Sequence, residues 1–219
     1  LREDVATRLR AAVEGTQRTN TDELRELLFL AGMAGDDAMV DLFIGLANPD
    51  LADDPEHIDL HERKFLRDEM IRTQFFGSLG VLGQQLHGGD AERVIPVMRL
   101  IRRGMVDDYP EVRAAAAEAA GRAVKYHDSV AEHMQAAVPT LSQLLGDPSW
   151  EVQRAALRAI SEFPDPRSVR ALRTFLELLR DEHLRYIASK GIQRIRDRGS
   201  RFRFLVRPAT MLKDYLSKS

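Results

Sequence analysis

The chain has 219 residues, 44% hydrophobic and 30% charged, with a mean hydropathy of −0.31, enough apolar material for a folded core. It has no cysteine, which excludes disulfides, thiol nucleophiles and cysteine-ligated zinc or iron–sulfur sites. No apolar run reaches the roughly 18–20 residues that cross a bilayer, and Leu1-Arg2-Glu3-Asp4 is not a signal peptide, so no membrane partner and a cytoplasmic setting are expected. The start without Met suggests an excised domain or a processed chain. The net charge of −2 hides a division: residues 1–149 carry 26 acidic and 16 basic side chains, residues 150–219 carry 8 and 16. Such an asymmetry bears on partners, not on fold. The basic residues are 27 Arg to 5 Lys, a bias that genome composition alone can produce.

In chain order, residues 1–14 and 21–33 predict a first, degenerate helix pair. A helix over 37–48 then meets an acidic, proline-bounded insertion, Asn48-Pro49-Asp50-Leu51-Ala52-Asp53-Asp54-Pro55-Glu56-His57, before a long helix over 60–86. Helices are expected over 91–106, 130–145 and 167–180. Each is followed by a second helix, led by Val112, Val152 and Leu184. Asp107-Asp108-Tyr109-Pro110, Asp147-Pro148-Ser149 and Pro164-Asp165-Pro166 supply turns with proline and capping residues suited to helix starts. Gly199-Ser200 closes the last pair. Residues 200–219 form a tail, cap or linker, with Arg201-Phe202-Arg203-Phe204-Leu205-Val206-Arg207-Pro208 and an amphipathic segment containing Met211, Leu212, Tyr215 and Leu216.

The second helices repeat one another. Val112-Arg113-Ala114-Ala115-Ala116 recurs forty residues later as Val152-Gln153-Arg154-Ala155-Ala156, and Asp107 recurs as Asp147. Leu184-Arg185-Tyr186-Ile187-Ala188 follows 32 residues on, and Ile71-Arg72-Thr73-Gln74-Phe75 precedes by 41. Val112, Ala116, Ala120, Val152, Ala156 and Ile160 fall at helical steps of four and are expected in the core. Gly77, Gly80 and Gly83 also lie at helical spacing, as positions of close packing. A helix pair repeated every 32–41 residues cannot bury its apolar face alone, so the pairs must stack. The fold expected is all-α, an α–α superhelix of about five pairs over residues 1–199, near 1–34, 36–87, 91–126, 130–163 and 167–198.

The phrase Asp147-Pro148-Ser149-Trp150-Glu151-Val152-Gln153-Arg154-Ala155-Ala156, followed by Pro164-Asp165-Pro166-Arg167-Ser168-Val169, resembles a HEAT repeat, in particular the HEAT-like repeat of phycobilisome lyases. The resemblance covers residues 91–197 well and 21–90 weakly. It implies a binding scaffold; a chromophore lyase or other HEAT-like enzyme is a third reading with no residues to carry it. Deoxyhypusine hydroxylases place His-Glu pairs at equivalent positions of several repeats. Here His61-Glu62 stands alone, and His133 and His183 follow glutamates on different helices of the unit. HEAT-like alkylpurine DNA glycosylases use several aromatics and an Asp, whereas Trp150 is the single tryptophan and its turn position suggests packing between repeats.

No catalytic residue, cofactor site or metal site is assigned. His57 and His61 lie four apart beside Glu56, Asp59 and Glu62, but across a loop-to-helix junction, which reads as a solvated turn. The candidate surface is the stripe two and six residues after each leading apolar position. It comprises Thr73 and Gly77, Ala114 and Glu118, Arg154 and Arg158, Tyr186 and Lys190, and one turn later Val81, Arg122, Glu162 and Arg194. The stripe becomes basic in the last two repeats. Arg154, Arg158, Tyr186, Lys190 and Arg194 are therefore the candidate partner-binding residues, for a protein with an acidic surface. Nucleic acid is the alternative, since several Arg with Phe202 and Phe204 suit phosphates and bases. The acidic first 149 residues argue against it.

Overall fold

The computed structural model describes residues 2–14, 20–47, 64–85, 91–125 and 135–198. Ten α-helices lie among them, and no strand. They are α1 (Arg2–Glu14), α2 (Thr21–Ala34), α3 (Asp37–Ala47), α4 (Glu69–Gly83), α5 (Ala91–Gly104), α6 (Pro110–Lys125), α7 (Val138–Leu144), α8 (Trp150–Ile160), α9 (Pro166–Leu178) and α10 (182–198). Consecutive helices pair, and the second member of each pair packs on the next, α2 on α4, α4 on α6 and α6 on α8. The first members form the other layer, with α1 on α3, α3 on α5 and α7 on α9. This is the expected α–α superhelix of five pairs.

Local chemistry sets the helix starts. Asn20 accepts from the Asp22 amide, Asp68 from the Met70 and Ile71 amides, and Asp165 from the Arg167 amide, with Pro166 in the first turn of α9. Gly35, at φ 58°, ends α2 in the left-handed conformation that favours glycine. Two expected helices differ where they are described. Within the helix expected over 60–86, Lys64–Arg67 form a 3₁₀ turn and α4 begins after the Asp68 cap. Within that expected over 130–145, Gln135–Ala137 form a 3₁₀ turn and α7 begins at Val138, with Pro139 in its first turn. Residues 48–63 and 126–134, with the acidic insertion and the His57/His61 pair, and the tail from 199 lie outside the described residues.

Between the layers runs one core in which Val112, Ala116, Ala120, Val152, Ala156 and Ile160 are all buried. Phe43 stacks on Phe75 with ring centroids 5.0 Å apart, and Phe75 meets Phe76 edge to face at 5.5 Å. Burying each ring contributes about 1.5–3 kcal/mol.

Small residues bring the second helices close. A β-carbon on Gly32 would stand 2.9 Å from the Ser78 β-carbon, one on Gly80 2.9 Å from Ala119 Cα, and one on Gly121 2.8 Å from Ala159 Cα. Gly191 of α10 lies against the Ser161 hydroxyl in the same way. Gly83 approaches Ala123 as well, but a β-carbon on Gly77 would meet nothing within 4 Å. The packing reading of the three α4 glycines thus holds for Gly80 and Gly83 and fails for Gly77.

Buried ion pairs tie the repeats along their turns. Arg72 of α4 grips Asp107 with two bonds, Nε at 2.8 Å and a terminal nitrogen at 3.2 Å, while its other terminal nitrogen donates to the Leu66 and Arg67 carbonyls. Arg113 of α6 repeats this on Asp147, at 2.8 and 3.0 Å, and on the Asp107 and Asp108 carbonyls. Gln153 then takes the Arg position and donates to the Asp147 carbonyl.

Candidate functional site: the groove along the second helices

The four close approaches put Gly32, Gly80, Gly121 and Ser161 in equivalent places on α2, α4, α6 and α8. Counting back seven and three residues and forward one from each returns the stripe on α4, α6 and α8, and extends it to Arg25, Phe29 and Met33 on α2. The sequence reading missed this extension because the pair 1–34 is degenerate. The Gly32 contact that aligns it exists only in three dimensions. Phe29 is 53% exposed and Met33 61%, apolar surface left open on the same line.

Two clefts occupy this line and share Glu118 and Arg122. The first, about 700 Å³, is floored by Thr73, Gly77, Ala115 and Ala119, with Met70 and Tyr109 at its side. Arg25, Glu69, Glu111, Glu118 and Arg122 leave its charges nearly balanced. The second, about 670 Å³, brings Arg122, Lys125, Arg158, Lys190 and Arg194 together against Glu118 and Glu162. The groove therefore has a small-residue floor and nearly balanced charge over α2–α6 and is cationic over α6–α10.

Of the five candidate residues, the second cleft gathers Arg158, Tyr186, Lys190 and Arg194. Arg158 is exposed and makes no ion pair among the described residues. Lys190 lies 5.7 Å from the centre of the Tyr186 ring, which is 60% exposed. Arg194 pairs with Glu162, and Arg122 with Glu118 at 3.7 Å. Arg154 does not line the cleft: its guanidinium stacks 4.7 Å above Trp150. Trp150 itself is 55% exposed. Trp150 lies outside the buried core, and its ring packs against Arg154 of its own helix.

Elsewhere, α7 and α9 frame a cleft of about 770 Å³ lined by Val138, Leu145, Phe175, Leu178 and Arg170. Among the described residues no group of three or more His, Asp or Glu is placed to hold a metal, and no helix is long and apolar enough to cross a membrane. Two turn carboxylates sit below their ordinary range. Burial pulls the Asp147 carboxyl up, but the Arg113 hydrogen bonds, the Ser149 amide and the Arg113 charge outweigh it. Asp165 shows the same balance with Arg167.

A family comparison matches residues 98–196. Residues 98–196 are HEAT repeats. That match is to HEAT repeats in general, and the likeness of residues 147–169 to phycobilisome lyases stays a resemblance. No curated protein matches the chain. Among solved structures, one engineered protein from a structural genomics consortium is 16% identical over 88% of this chain and 47% of its own, at a TM-score of 0.59. The chain thus spans about half of that protein. A second engineered protein is 16% identical over 89% of this chain and 97% of its own, at 0.50. At such identities the likeness shows the fold alone.

Proposed function

We propose that this HEAT-repeat chain is a non-catalytic interaction scaffold that holds an acidic surface of a partner protein in the cleft over α6–α10. Arg158, Tyr186, Lys190 and Arg194 make the contact. The observation that supports this is a single cleft drawing five cations from α6, α8 and α10 against two carboxylates, with Arg158 in no ion pair among the described residues. An exposed ion pair contributes only about 0–1 kcal/mol, so one cation would not suffice, whereas several converging on one partially enclosed surface give both affinity and orientation. The stacked Tyr186 adds a flat apolar contact beside the charge.

The test compares wild type with Arg158→Glu/Lys190→Glu, two exposed residues whose reversal leaves the core untouched. Affinity purification from a cell extract followed by mass spectrometry should recover a partner on the wild type and lose it on the variant, with both melting alike. Nucleic acid is separated by salt: four phosphate contacts on duplex DNA give a log–log slope of about −4. A slope that steep with micromolar binding would replace the scaffold reading. Glu69, Glu111 and Glu118 along the first cleft weigh against a polyanion running the length of the groove.

A further inference from the structure

Gly77 has no packing reason to be glycine. It lies inside α4, where glycine costs helix stability relative to alanine. Gly80 and Gly83, about one and two turns further on, are held close by Ala119 and Ala123, but no described residue lies within 4 Å of a β-carbon on Gly77. It sits at the centre of the stripe, between Phe29 and Glu118, so the missing side chain leaves a dent in the floor of the first cleft. Met70, Thr73, Ala115 and Ala119 line the cleft with Gly77, beside the polar Gln74 and Glu118. At the rim, the Arg25 side chain is 43% exposed, and a terminal nitrogen lies 3.8 Å from the Asp22 carboxylate. A cleft of about 700 Å³ with a floor of small residues and a charged rim has the size of a recognition pocket.

Resting on the scaffold reading above, we infer that the groove takes an extended polypeptide segment in one register, with a large apolar side chain in the dent over Gly77 and acidic residues over Arg158 and Lys190. Charge complementarity sets the direction: the near-neutral cleft receives the anchor and the cationic cleft receives the carboxylates. Geometry sets the spacing. Packed helices stand about 8–10 Å apart, so α8 and α10 lie about 16–30 Å from α4 across the groove. At about 3.3 Å per extended residue, the acidic residues fall roughly five to nine positions from the anchor.

The experiment selects a displayed library of random 14-residue peptides on the full 219-residue chain and measures enriched clones against variants. Enriched peptides should pair a large apolar residue with two or more Asp or Glu at that spacing. Gly77→Leu should weaken them tenfold or more while melting at or above the wild-type temperature, and Gly77→Ala should raise the melting point by about 1–4 °C. Gly45→Leu is the control: a β-carbon there also meets nothing, but Gly45 lies on α3 in the other layer, so binding should be unchanged. A drop in melting temperature for Gly77→Ala would overturn the inference, because the residue would then be serving the fold. Peptides that tolerate Gly77→Leu but are lost on Arg158→Glu/Lys190→Glu would overturn it and leave the scaffold reading standing. Peptides indifferent to both sets would sink both, and no enrichment over an unrelated bait would overturn the inference.

Discussion

The α4–α8 segment and the α9–α10 pair are built from the same repeat but joined differently. In the middle, Arg72–Asp107 is completely buried and Arg113–Asp147 nearly so, each arginine holding a carboxylate in one turn and two carbonyls in the turn before it. At the last junction both members have changed. Gln153 stands where the arginine would be, and Leu179, three residues before α10 as Asp107 and Asp147 precede α6 and α8, stands where the aspartate would be. The last pair is held instead by Gly191 against Ser161, by Arg194 on Glu162, and by Arg198 donating to the Glu162 and Val124 carbonyls. The repeat can evidently be closed either by a desolvated ion pair or by backbone proximity with surface charge. The two solutions should fail under different insults.

The largest expected effect is at the buried pair. Arg72→Ala strands Asp107 with at most 3% of its side chain exposed and should cost about 3–5 kcal/mol, a fall in melting temperature of roughly 6–20 °C. Arg185→Ala, which breaks only exposed bonds to the Leu176 and Leu179 carbonyls, should cost under about 1 kcal/mol. Equal losses from the two would mean that the buried carboxylate adds nothing to an arginine's bonds to the turn carbonyls.

Close packing comes next. Gly121→Ala forces a β-carbon to 2.8 Å from Ala159 Cα, a backbone atom that cannot swing aside, and should destabilise by about 1–3 kcal/mol in denaturant unfolding. A neutral result would mean that the seam is looser than the structure has it.

The third expectation concerns acid. The folded carboxyl of Asp147 lies below its ordinary 3.8, so its pairing stabilises above that value and is lost as pH falls through the lower folded one. Asp147→Asn should therefore be less stable than wild type at pH 7, and the gap should narrow as both are unfolded at successively lower pH below about 4. A gap that stays constant to pH 2 would remove Asp147 from the acid response.

The smallest effect tests whether the missing pair can be restored. Gln153→Arg alone adds a cation with no carboxylate and should gain nothing. Combined with Leu179→Asp it should show a favourable coupling of about 0.5–3 kcal/mol in a double-mutant cycle. Additive behaviour would mean that the last junction differs in backbone geometry and not only in two side chains.

Periodicity made the helices, their pairing and the core positions legible in the sequence. Apolar steps of four at Val112, Ala116 and Ala120, recurring at Val152, Ala156 and Ile160, leave only one face that can be buried, whatever packs against it. The stripe carrying Arg158, Tyr186, Lys190 and Arg194 followed from the same count, since residues opposite a buried face must be open. What sequence could not weigh was distance between helices. Arg154 and Arg158 share the stripe, yet a flat ring at Trp150 claims one and the cleft receives the other. Gly77 and Gly80 are the same residue three positions apart on one helix. Only the approach of Ala119 shows that one is required by the fold and that the other leaves room. Hydrophobic period is a property of the chain, but whether a small residue is filled against or left empty is a property of its neighbours, and those are chosen by the stacking.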